Sequence, residues 1–138
     1  MFIKSLTVLI IFDFLVNKPV LRWNTTGITV AGVTGQTGNA SNLLASPADV
    51  VLDWANNLYI VDSNNYRIQK YLFDSTIGQT VAGTGANGST PSRLFGPTRL
   101  LLDTNENLYI SDSYNSRVQF WSKGAVNGTT VAGVTGKI

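Results

Sequence analysis

The fold is decided by the stretch Pro47-Ala-Asp-Val-Val-Leu-Asp-Trp-Ala-Asn-Asn-Leu-Tyr-Ile-Val-Asp-Ser-Asn-Asn-Tyr-Arg-Ile-Gln-Lys-Tyr71. It aligns without a gap on Pro97–Trp121, and 12 of the 25 positions are identical. The tetrapeptide Thr-Val-Ala-Gly begins at Thr29, Thr80 and Thr130, at steps of 51 and 50 residues. A period near 50 residues, built from short strands and turns, is typical of a β-propeller.

Each repeat predicts four short strands joined by polar turns, which together make one antiparallel blade. The first strand is a continuous apolar run, and such a run is expected to be covered on both faces. The next strand alternates, with Leu58 and Ile60 on one face. The predicted strands are Asp49–Asp53, Leu58–Val61, Arg67–Tyr71 and Gln79–Ala82, then Arg99–Asp103, Leu108–Ser111, Arg117–Trp121 and Thr129–Ala132.

The predicted fold class is therefore all-β: a partial β-propeller of about two full four-stranded antiparallel blades plus one degenerate N-terminal blade. The predicted units are residues 1–32, 33–83 and 84–138. Propellers close with roughly 4–8 blades, so we expect either that the chain is a fragment of a longer protein or that copies of it self-associate to complete a ring. Residues 1–19 fit either a worn repeat or a leader segment, and their apolar run is too short for a stable membrane span.

Composition excludes several kinds of chemistry. The chain has no cysteine and no histidine, which removes disulfides, thiolate metal sites and the usual base of Ser-His or Cys-His catalysis. Charged residues make up 13% of the chain, about half the usual share. The basic residues form no run or stripe of the kind that binds nucleic acid. We therefore expect no catalytic residues, no metal and no cofactor.

The repeats resemble the NHL family, whose pattern is a proline, an aliphatic stretch ending in Asp, then Asn-Leu-Tyr-Ile-x-Asp and Asn-x-Arg-Ile. The matching positions run from Pro47 through Asn57-Leu-Tyr-Ile60 to Ile68, and from Pro97 through Asn107-Leu-Tyr-Ile110 to Val118. The resemblance implies a propeller, most often six-bladed. Relatives include protein- and RNA-binding modules of tripartite-motif ubiquitin ligases, extracellular sensors and an amidating lyase. The lyase depends on metal-binding histidines, so its activity does not carry over.

Two acid–base pairs recur at the ends of one hairpin turn in each repeat. Asp62 with Arg67, and Asp112 with Arg117, are predicted to be structural staples, in which the carboxylate accepts turn N–H groups and the guanidinium reaches across to it. A second repeated feature is the aromatic residue at the end of the third strand. Trp23, Tyr71 and Trp121 are expected to pack between neighbouring blades.

Ligand candidates are the residues that differ between repeats at one end of the blades. That end carries the turns between second and third strands and the crossing loops, residues 32–46 and 83–96, that join one blade to the next. The candidates are Asn64, Tyr66, Arg93, Arg99 and Tyr114. The leading hypothesis is a non-catalytic module that binds a protein, a peptide or a glycan. RNA binding and a histidine-independent enzyme are the alternatives. Four glycosylation sequons and the possible leader favour an extracellular location over a cytoplasmic one without deciding the compartment.

Overall fold

The computed structural model describes residues 26–134 as two four-stranded antiparallel sheets, each in the order of the chain. The first sheet contains β1 (Pro47–Leu52), β2 (Leu58–Asp62), β3 (Arg67–Tyr71) and β4 (Gly78–Ala82). The second contains β5 (Pro97–Leu102), β6 (Leu108–Asp112), β7 (Arg117–Trp121) and β8 (Thr129–Gly133). One turn of 3₁₀ helix, Ser63–Asn65 or Ser113–Asn115, joins the second and third strands of each sheet.

These two sheets confirm the predicted all-β class of partial propeller blades. β3 and β7 have the predicted bounds, and the other strands differ by one or two residues at one or both ends. β1 and β5 begin at their prolines, because a proline at a strand start costs no ladder hydrogen bond. The first Thr-Val-Ala-Gly tag, at Thr29, is not in a strand. The fourth strand of a blade pairs with the third strand of the same blade. The described part of the chain contains no third strand before this tag, so the tag has no strand with which to pair.

The core lies between the two sheets, which pack face to face. The first sheet contributes Tyr59, Val61 and Ile68, and the second contributes Ile110 and Trp121, all of them buried. Alternation along each strand places every second side chain on this inner side. A hydrogen bond between main chain and side chain also crosses the interface, since the N–H of Leu100 donates to Oδ2 of Asp49 at 3.0 Å.

The expectation that the first strand of each blade is covered on both faces was wrong for this stretch of chain. No residue of β1 is fully buried, and Leu52 at the end of that strand is 53% exposed. In β5, Leu100 is buried against the first sheet, whereas Leu101 on the opposite face is 58% exposed. The physical reason is that, within residues 26–134, the first sheet covers only one face of the second.

The glycine that ends each later tag has a steric explanation. Gly83 and Gly133 adopt φ of 81° and 82°, where side chains other than glycine are strained. A Cβ at Gly83 would lie 2.3 Å from the carbonyl oxygen of Tyr66, and one at Gly133 would lie 2.2 Å from that of Ser116. The fourth strand can therefore approach the start of the third strand only if this residue is glycine.

The aromatic residues at the ends of β3 and β7 are buried, and each lies over a glycine. Tyr71 covers Gly78 and donates its hydroxyl to the carbonyl of Ser41 at 3.1 Å. Trp121 covers Gly128 and belongs to the core between the sheets, but its indole Nε1 is buried without a hydrogen-bond partner. Trp121 therefore packs between the blades as the sequence predicted. Trp23 lies outside the described residues.

Candidate functional site

One end of the two sheets is built from crossing loops held against 3₁₀ turns. The N–H of Asn64 donates to the carbonyl of Ala45, and the N–H of Tyr114 donates to that of Phe95, both at 3.1 Å. Each crossing loop is thus hydrogen-bonded to the turn between the second and third strands of the blade that it enters. The crossing loops and these turns therefore lie at the same end of the sheets, as predicted from the sequence.

A buried ion pair lies directly beneath this end in the second sheet. Oδ2 of Asp112 accepts hydrogen bonds from Nε of Arg117 and Nδ2 of Asn115, each at 2.8 Å. Oδ1 accepts the backbone N–H of Phe95 at 2.7 Å. Sequence reasoning expected N–H groups of the turn itself as donors. The donor is instead in the crossing loop, because a 3₁₀ turn directs its own N–H groups back along the turn.

The guanidinium of Arg117 also binds the crossing loop. It donates to the carbonyl oxygens of Ser89, Thr90 and Arg93 at 2.8, 3.2 and 2.9 Å. The fixed fork of donors on arginine suits several acceptors at once, which lysine cannot match. The staple therefore joins strand, turn and crossing loop into one rigid unit.

The first sheet repeats this arrangement 50 residues earlier. Oδ1 of Asp62 accepts the N–H of Ala45 at 2.7 Å, and its Oδ2 accepts Nε of Arg67 at 2.8 Å. Nη2 of Arg67 donates to the carbonyl oxygens of Ala40 and Leu43 at 3.0 and 3.2 Å. Two of the three carbonyl contacts of Arg117, those to Thr90 and Arg93, thus recur in the first repeat although the loop side chains differ.

Three aromatic side chains, here called the aromatic row, lie across the junction of the two sheets at this end. Tyr66 and Phe95 have ring centroids 5.9 Å apart, and those of Phe95 and Tyr114 are 5.0 Å apart, both in edge-to-face geometry. Tyr114 is 68% exposed, whereas Tyr66 and Phe95 are half-buried. The backbone of Phe95 is fixed by Asp112, so the central ring of the row is held in place by the buried staple.

The structure brings only some of the sequence candidates together. Tyr66 and Tyr114 join through Phe95, which sequence reasoning missed. Asn64 lies in the adjacent turn and donates its side-chain amide to Oγ of Ser46 at 2.9 Å. The remaining two candidates, Arg93 and Arg99, are exposed, the first in the crossing loop and the second in β5 opposite Ser111.

The comparison with protein families matches this architecture. The family model described as NHL repeat matches residues 44–71, which run from the end of the crossing loop to the end of β3. Residues 44–71 are thus similar to an NHL repeat. The match includes the staple pair Asp62 and Arg67 and the turn residue Tyr66. Comparison with curated proteins gave no match.

A concave feature lies at the other end of the two sheets. A cleft of about 620 Å³, here called the inter-turn cleft, lies between the β1–β2 turn and the β5–β6 turn. Trp54, in the first of these turns, is 93% exposed. The charged side chains lining the cleft are Asp53, Lys70, Asp103, Glu106 and Lys123. Sequence reasoning did not find this cleft.

Glu106 links the two sheets beside the cleft. Its Oε2 accepts Nζ of Lys70 at 3.2 Å and the hydroxyl of Tyr59 at 3.1 Å, and its Oε1 accepts Nζ of Lys123 at 2.8 Å. Lys70 lies 4.7 Å from the ring centroid of Tyr59. Hydrogen bonds from Lys123, Lys70 and Tyr59 lower the pKa of Glu106 below its ordinary value of 4.5. Burial, the largest single influence, raises the pKa of Tyr59 above 10.0.

Between residues 26 and 134, no three acidic, histidine or cysteine side chains cluster closely enough to hold a metal ion. In the same range, no helix has the length and apolarity needed to cross a membrane.

Proposed function

We propose that the chain is a non-catalytic recognition module whose aromatic row binds a protein or peptide segment. The carrying observation is that Tyr66, Phe95 and Tyr114 form a continuous set of rings at the crossing-loop end, with the outermost ring 68% exposed. Exposed tyrosines offer a large apolar face, a polar tip and little side-chain entropy to lose, which suits them to binding protein surfaces.

Rigidity supports this proposal. The crossing loop that carries Phe95 is held by Asp112 and by three hydrogen bonds from Arg117 to loop carbonyls. A site whose shape exists before binding loses less conformational entropy when a ligand arrives. The buried staple thus has a structural role that serves recognition indirectly.

Charge favours a peptide over RNA as the ligand. Within residues 26–134, the exposed cations at the crossing-loop end are Arg93 and Arg99, because Arg67 and Arg117 are buried in staples. Binding to the phosphate backbone requires a denser set of exposed cations. A catalytic role is disfavoured because the chain has no histidine or cysteine and the staple carboxylates are engaged in hydrogen bonds.

The test is a peptide-display selection against the chain, followed by affinity measurement on the selected peptides. We expect Tyr114→Ser to weaken binding on the order of tenfold, the size of loss typical of an aromatic anchor. The matched control is Phe73→Ser, because Phe73 is 66% exposed and lies in the β3–β4 turn at the opposite end. Peptides that tolerate Tyr114→Ser but are lost with Phe73→Ser would refute the proposal.

Measurement of RNA binding in the same experiment tests the alternative function. Binding of single-stranded RNA that weakens linearly with the logarithm of salt concentration, together with an absence of selected peptides, would replace the peptide proposal with the nucleic-acid one.

A further inference from the structure

The inter-turn cleft is formed at positions where the two repeats differ. The turns around it are otherwise the same: Asp53 and Asp103 each accept two backbone N–H groups and one asparagine side chain. Trp54, however, is replaced by Thr104 in the second repeat, and Lys70 is replaced by Phe120. The scaffold therefore requires neither of these residues, since each repeat folds with the alternative.

Trp54 contributes a free aromatic face to the cleft. With 93% of its surface exposed, it adds almost nothing to the core, and it stands on a turn whose backbone is fixed by Asp53. A fully exposed indole on a rigid turn is a preformed platform for a cation or another flat group.

Asp103 contributes a carboxylate to the cleft. In the first repeat, Oδ2 of Asp53 lies 3.4 Å from Nζ of Lys70. At the equivalent place in the second repeat stands Phe120, and no lysine or arginine among residues 26–134 lies within 4.0 Å of Asp103. The two N–H bonds are to Oδ1, and the bond from Nδ2 of Asn107 is to Oδ2, at 2.9 Å. One lone pair of Oδ2 is therefore available to a further donor.

The overall charge of the cleft agrees with this local imbalance. Three carboxylates and two lysines line it, which leaves a formal charge of −1. Both lysines are bound to Glu106, at 3.2 and 2.8 Å, so their positive charge is partly compensated. The excess negative charge is thus associated with Asp103.

We propose that the inter-turn cleft binds the side chain of an arginine in a peptide ligand, with the guanidinium stacked on Trp54 and donating to Oδ2 of Asp103. A planar guanidinium combines stacking on an aromatic face with directed N–H donors, which an ammonium group does less well. The cleft volume of about 620 Å³ lies in the usual range for small-ligand sites. This site shares no residue with the aromatic row and stands independently of it.

The test is an NMR titration of the chain with acetyl-Gly-Arg-Gly-amide, observing the backbone amides of Ala55 and Thr104. The same peptide with citrulline, which keeps the shape of arginine but is neutral, is the ligand control. We expect saturable shifts with the arginine peptide and clearly smaller shifts with the citrulline peptide. Equal shifts with both peptides would overturn the proposal.

Two variants exchange the distinguishing residues between the repeats, so both are built on side chains that the fold already accepts. Trp54→Thr removes the platform, and we expect arginine binding to weaken about two- to fivefold. Phe120→Lys gives Asp103 the lysine partner that Asp53 has, and it should weaken binding by at least about twofold. Val131→Thr, at a 52% exposed position of β8 that does not line the cleft, should leave arginine binding unchanged. Unaltered affinity in both cleft variants would also overturn the proposal.

Discussion

Replacement of Gly83 by alanine tests the steric basis of the repeated tag. The new Cβ would lie 2.3 Å from the carbonyl oxygen of Tyr66 and 3.0 Å from Cα of Arg67. Both contacts are with backbone, which cannot rotate away. A φ of 81° costs a non-glycine residue about 1–2 kcal/mol, and overpacking costs about 1–3 kcal/mol more. The lower entropy of the unfolded alanine chain offsets about 0.4–1 kcal/mol, so the free energy of unfolding should fall by about 1–4.5 kcal/mol.

Gly85 supplies the matched control, because it has the same φ of 81° but the nearest non-adjacent atom, the carbonyl oxygen of Asn65, would be 3.9 Å from a Cβ. Gly85→Ala should therefore lose only the conformational part, about 1 kcal/mol. Urea unfolding followed by circular dichroism measures both, with the slope expected to stay constant while the midpoint moves. Equal losses in the two variants would refute the proposed close contact with Tyr66. A Gly83→Ala variant as stable as the parent would refute the strand arrangement itself.

Two further predictions concern Glu106 between the sheets. Glu106→Gln should lower the urea midpoint at low salt, because Lys70 and Lys123 lose their shared carboxylate. The difference should shrink at roughly 1 M salt, where exposed charges are screened; a difference that persists would assign the effect to Tyr59 instead. The free energy of unfolding should also depend on pH through the ionisation of Glu106. The pKa of Glu106 is depressed from 4.5 in the folded state, so its contribution is complete above that pH and is lost as pH falls through the folded pKa. Urea midpoints on acidification should fall more steeply for the parent than for Glu106→Gln, and parallel curves would contradict this.

Local sequence was sufficient to predict the strands because the same pattern of strands and turns occurs in both repeats. The five-residue spacing of Asp62 and Arg67 places both at one turn, and alternation in Leu58–Val61 separates core from outer positions. The partners of the staple could not be predicted in the same way. The N–H of Ala45 and the carbonyl of Ala40 are main-chain groups in an irregular loop, and main-chain groups carry no sequence signal.

The two candidate sites differ in how far the sequence revealed them. Tyr66 and Tyr114 were found because they break the repeat, but Phe95 was missed although it also breaks it, since the equivalent residue is Ala45. The inter-turn cleft was missed because its walls come from turns about 50 residues apart. Trp54 opposite Thr104 was visible in the alignment, and such a difference at a turn is the signal that could have found the cleft.

Arg67 and Arg117 hold their loops through carbonyl oxygens, a group that every amino acid possesses. Substitution of almost any side chain between Gly88 and Arg93 therefore leaves the anchor points intact. Mutation can change the side chains of the loop while its backbone keeps the same course. A blade built in this way can acquire a new binding specificity through loop substitutions that leave its fold unchanged.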